Sequence, residues 1–144
     1  MENSDTVKLL QECDAGTKMA VASIDEVLDK VCDQTVKALL DESKRRHEAL
    51  GNRIHSLLVE NGSQEKNPSP MAKGMSWVKT NWKMGMEESD ATAADLITDG
   101  CNMGVKSLHR YLNQYKAADQ TARGLCTELI KTEEKLSADL RPYL

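Results

Sequence analysis

The chain has 144 residues, of which 40% are hydrophobic and 29% charged, with a net charge of −4 and no phenylalanine. That is the length of one domain, and an acidic balance with a pI near 5.4 excludes a general affinity for nucleic acid or anionic membrane. A core without Phe must be built from Leu, Val, Ile, Met and Ala, residues that favour helices over sheets.

No stretch is apolar over the roughly 18 residues that a membrane span needs. The start, "MENSDTVKLLQEC", has neither the basic end nor the apolar stretch of a secretory signal. The expected location is the cytoplasm. Cys13, Cys32, Cys101 and Cys126 stand far apart with no C-x-x-C pair, so they read as small, mostly buried thiols rather than a zinc or redox motif.

The first helix is expected over about 4–30. Val7, Leu10, Asp14, Thr17, Val21, Ile24, Leu28 and Val31 step by three and four, the spacing of a face packed in a bundle. Asp14 and Thr17 make the middle of that face polar. A tight connection leads to the second helix, about 33–60, capped by Asp33. Its face is Val36, Leu40, Ser43, His47, Leu50, Ile54 and Leu57, again polar in the middle at Ser43 and His47. The two should form an antiparallel hairpin.

Residues 61–88 break the pattern. "NGSQEKNPSP" stops the second helix with Asn-Gly and forbids an early restart with Pro68 and Pro70. "MAKGMSWVKTNWKMGM" then reads as a short crossover piece in which Trp77 and Trp82 bury apolar area against the bundle. The third helix, about 89–116, starts at a Ser89 or Asp90 cap and faces inward through Ala94, Ile97, Cys101, Gly104, Leu108, Tyr111 and Tyr115. Gly100 and Gly104 each cost roughly 1 kcal/mol of helix propensity, which a close helix–helix approach would offset. The fourth helix, about 119–141, is capped by Asp119 and faces inward through Ala122, Leu125, Leu129, Thr132, Leu136, Leu140 and Tyr143. Four matched helices with a long crossover between the second and third define an all-α four-helix bundle of the ferritin-like wiring.

The tight first hairpin, "DESKRRHEAL", "GMSWVKTNWKMGM" and "DGCNMGVKSLHRYL" together resemble an uncharacterised bacterial family of ferritin-like bundles, over about residues 7–141. That resemblance implies inward glutamates at mid-height on all four helices and two Glu-x-x-His pairs holding metal. The corresponding positions here are Thr17, Lys44-x-x-His47, Cys101 and Lys131-x-x-Glu134. Only one histidine remains, and two lysines stand where a cation would be repelled.

His47 therefore reads first as a core histidine bonded to Ser43 or to a carboxylate from another helix. Its second reading is a residual metal ligand with Glu134 and Asp14. His55 and His109 fall on polar faces. The expectation is a non-enzymatic structural or interaction protein without a conventional di-metal site, without a cofactor, self-associating as a homodimer or docking an unidentified protein. The alternatives are a metal-binding or stress-related bundle around His47 and Glu134, and a small-ligand-binding bundle with a cavity beside Gly100, Gly104 and the crossover tryptophans.

Overall fold

The computed structural model describes residues 4–63 and 89–144. They form α1 (Ser4–Leu28), α2 (Gln34–Glu60), α3 (Asp90–Gln114) and α4 (Gln120–Leu140), closed by a 3-10 turn at Arg141–Tyr143. The helix ends fall within two residues of the expected ones. The expected crossover of 61–88, with Trp77 and Trp82, lies almost wholly outside the described residues.

Caps fix the helix starts. The Asp33 carboxylate accepts from the Thr35 and Val36 amides, Ser89 Oγ from Thr92 and Asp119 from Ala122. Each satisfies amides that the first turn leaves without an intrahelical partner. Asp90, an alternative cap in the sequence, does a different job. Its carboxylate accepts from Cys32 N at 2.8 Å and Asp33 N at 2.9 Å, so the start of α3 grips the α1–α2 turn. The opposite end has a matching clamp: Asp5 accepts from Ala117 N at 3.0 Å, and Thr6 Oγ1 accepts from Asp119 N at 2.8 Å. Each hairpin turn is thus held by the first helix of the other hairpin. Replacing Asp90 by Ala should lower stability by about 1–2 kcal/mol, because two charge-assisted bonds to exposed amides are lost to water; urea denaturation measures it.

The clamps also fix direction. The start of α3 sits beside the start of α2, and the start of α1 beside the end of α3, so α2 and α3 run parallel. A chain leaving the end of α2 must return along the full length of that 27-residue helix, about 40 Å, before α3 can begin. This is the physical reason for a long connection in the middle of the sequence.

α1 packs against α2, α3 and α4, while α2 and α4 are neighbours and α2 and α3 lie diagonally opposite. The apolar interior has two parts. One, around Ile24, Val31, Leu40, Ala94 and Leu140, lies at the α1–α2 turn end. The other, around Leu9, Ile54, Leu58, Ala122 and Leu125, lies at the α3–α4 turn end. Between them is a buried polar layer of Asp14, Thr17, Ser43, His47 and Glu133. At this waist Thr17 Oγ1 would stand only 3.1 Å from a Cβ placed on Gly51, so α1 and α2 approach closely where α2 has no side chain.

Candidate functional site at the polar waist

Between α1 and α3 the bundle opens into a groove of about 440 Å³. Small residues one turn apart on the facing helices make the space: Gly16 and Ala20 on α1, Gly100 and Gly104 on α3. The remaining walls are mainly apolar, with Met19, Ile24, Ile97, Leu108, Leu129 and Leu136, beside the hydroxyls of Ser23 and Ser107. His47 of α2 and Glu133 of α4 reach the groove from the far side of the bundle. At its edge the Tyr111 hydroxyl donates to Glu12, linking α3 to α1.

The glycines of α3 thus serve an end other than the expected close approach of two helices. A Cβ on Gly104 would stand 2.5 and 2.8 Å from the two Glu133 carboxylate oxygens. Gly104 is a notch that seats this carboxylate, and Gly100 leaves groove space open.

His47 is 1% exposed. Its Nδ1 lies 2.8 Å from the Ser43 carbonyl oxygen and 3.4 Å from Ser43 Oγ, the neighbour expected from the sequence. Its Nε2 faces Glu133 Oε1 at 3.9 Å, beyond direct hydrogen-bonding distance. Both Nε2 and Glu133 Oε2 are buried, and neither has a hydrogen-bond partner among the described residues. Burial pushes the Glu133 carboxyl above the usual carboxylate range, with His47 partly offsetting it. Burial, and then the Glu133 charge, push the Cys101 thiol up to about 12.

A raised carboxyl pKa makes the folded state bind the proton more tightly than the unfolded chain. Glu133 therefore contributes most stability below the ordinary value of 4.5, and loses that contribution as pH rises through its raised folded value. Melting curves of wild type and Glu133→Gln across this range should diverge, with wild type losing ground to the variant as pH rises.

The acidic partner of His47 stands one residue from the expected one. Glu134 is exposed, and its main-chain carbonyl accepts from Ser137 Oγ at 3.0 Å. The buried face of α4 runs through Cys126, Ile130, Glu133, Ser137 and Leu140, a four-three-four-three row beside the expected one, and it carries Glu133 inward. Asp14 is buried as expected but pairs with Lys18 at 3.0 Å. Lys44 reaches Asp25 of α1 at 2.6 Å. Lys131 is exposed, as are His55 and His109. Three of the four thiols are buried, and Cys32 is exposed.

This donor set does not fit a di-metal centre. The positions that the resemblance implies for bridging carboxylates carry a threonine packed on Gly51, an ammonium paired to Asp25, a thiol held protonated and an exposed lysine. Among the described residues no three His, Cys, Asp or Glu side chains gather where they could share an ion.

No protein-family model and no curated protein sequence matches the chain. Solved structures do match. Dps92 from Deinococcus radiodurans superposes with a TM-score of 0.76 at 15% identity, covering 97% of this chain and 86% of its own. The fold is ferritin-like. A conserved hypothetical protein of Mycobacterium tuberculosis shares this ferritin-like bundle at a TM-score of 0.77 and 14% identity, with both chains fully covered. A dodecameric thioferritin, the bacterioferritin-related protein of Bacteroides fragilis, does so at 0.76 and 11%, covering 99% of this chain and 86% of its own. Identities this low carry the ferritin-like architecture and no site residue. Among the described residues, no helix is long and apolar enough to cross a membrane.

Proposed function

We propose that this ferritin-like bundle is a non-enzymatic, cytoplasmic protein that binds a small, largely apolar molecule in the groove between α1 and α3, and that it lacks a conventional di-metal centre. One observation carries this reading: His47 and Glu133, whose buried Nε2 and Oε2 have no hydrogen-bond partner among the described residues, both line an apolar cavity of about 440 Å³. Volume, apolar walls and a few convergent polar groups are what small-molecule sites share. A purely structural core would instead satisfy or omit such groups. The tryptophans expected beside this cavity lie outside the described residues.

A saturating ligand that binds only the folded state at 100 times its Kd stabilises by about 2.7 kcal/mol. In a thermal-shift screen of small amphipathic compounds, hits should raise the melting temperature of wild type and not of Ala20→Trp, whose indole fills the groove. A screen without hits, or hits that act equally on the filled variant, would refute the reading.

Self-association fits a different observation, the dodecameric assembly of the thioferritin neighbour. Among the described residues the exposed large apolar side chains Val59, Met103 and Leu144 are scattered along the bundle, which favours the groove over a docking face formed by these residues. Light scattering over a wide concentration range tests it: a strict monomer counts against the expected homodimer.

A further inference from the structure

The polarity of the groove floor restricts what it can hold. The Ser43 carbonyl oxygen can only accept, so His47 Nδ1, 2.8 Å away, carries its hydrogen and donates. In the neutral imidazole Nε2, which faces Glu133 Oε1, is then an acceptor. The Glu133 carboxylate beside it is an acceptor too, and Oε2 has no partner. No lysine or arginine is among the described residues that line the groove. With His47 neutral and Glu133 ionised, two acceptors meet at the groove floor, and among the described residues no cationic side chain stands between them.

We infer that the groove takes small organic primary amines with an apolar body, the ammonium group seated between His47 Nε2 and the Glu133 carboxylate. This rests on the small-ligand reading above and narrows it. An ammonium offers three N–H donors, enough to serve both acceptors at once, whereas an alcohol offers one. The apolar wall calls for an organic body, and two protein ligands are too few for a tightly held metal ion.

The empty site also has to balance its charge. A bare carboxylate or a lone imidazolium buried here would be costly, so the pair keeps one proton between its two members. Binding exchanges it: the protonated pair plus an organic ammonium gives the ammonium seated on neutral His47 and ionised Glu133, plus one released proton. Charge is conserved, and the proton leaves to buffer. The other titratable groups near Glu133 are Cys13 of α1, Cys101 of α3 and Cys126 of α4 itself. Asp14 of α1 belongs to the same buried layer, paired to Lys18, and Glu12 of α1 and Tyr111 of α3 stand at the groove edge.

Calorimetric titration of the full chain with 2-phenylethylamine and 2-phenylethanol, in two buffers of different ionisation enthalpy, decides it. The amine should bind at least about tenfold tighter than the alcohol and release about one proton per site. Glu133→Gln should abolish both the preference and the release, and Cys126→Ala should keep them. Equal affinity for the two probes, an amine preference that survives Glu133→Gln, or no proton release would overturn the amine assignment while leaving small-ligand binding in place. Failure of both probes to bind at millimolar concentration would remove both.

Discussion

Replacing His47 by Leu is expected to destabilise the protein by about 3 kcal/mol or more, whereas replacing His47 and Glu133 by Leu together should leave stability unchanged or raise it by about 1–4 kcal/mol. The single change leaves a buried carboxyl with no partner, and a carboxyl so placed must hold its proton or stand as an uncompensated charge. The double change removes both desolvation costs and adds apolar surface beside a groove already lined by Leu129 and Leu136. The sign of the double variant is informative because the pair is poorly made. Nε2 and Oε1 stand 3.9 Å apart, and an atom on each side has no hydrogen bond among the described residues. A polar layer kept for stability would be fully satisfied. Urea denaturation of the wild type, the two singles and the double gives the cycle. A double variant less stable than both singles would show that the pair is a net stabiliser and not a site.

Leu40→Ala and Ile54→Ala should each cost about 2–5 kcal/mol and should each move one cooperative transition. Leu40 is 1% exposed in the apolar cluster at the α1–α2 turn end, and Ile54 is fully buried in the one at the α3–α4 turn end. The polar waist separates the two clusters, yet all four helices run through it unbroken. The two hairpins are also clamped at both ends, by Asp90 and by Asp5 with Thr6. A loss at either end therefore has to be felt by the whole bundle. Circular dichroism and near-ultraviolet melting of each variant should coincide, and two separated transitions would mean that the waist uncouples the halves.

Much of this architecture can be read from the residues. The four faces repeat at three and four, the caps at Asp33, Ser89 and Asp119 are where helix-start chemistry puts them, and His47 with its Ser43 neighbour follows from an i, i+4 spacing on one face. Glu133 did not emerge so readily. α4 touches three other helices, so its buried stripe is two rows wide, and a single row through Thr132 passes beside the glutamate. The parallel row from Cys126 to Leu140 was the signal that could have found it. Gly104 posed the right question, why a helix should tolerate a glycine, but its answer is a side chain from another helix. The groove is legible in the sequence only as one alternative, a cavity beside Gly100 and Gly104, and its other walls are not. Small residues at Gly16, Ala20 and Gly100 permit either close packing or an open space, and which one results depends on how far apart the other helices hold α1 and α3.

The isoleucines give the most direct test of the groove. The chain has four, at 24, 54, 97 and 130. Ile24 and Ile97 line the groove, while Ile54 and Ile130 are buried in the apolar cluster at the other end of the bundle. With the isoleucine δ-methyl groups labelled, titration with 2-phenylethylamine should shift the Ile24 and Ile97 resonances saturably and leave Ile54 and Ile130 nearly still. Silence from Ile24 and Ile97, or equal movement of all four methyls, would contradict a ligand site at the polar waist.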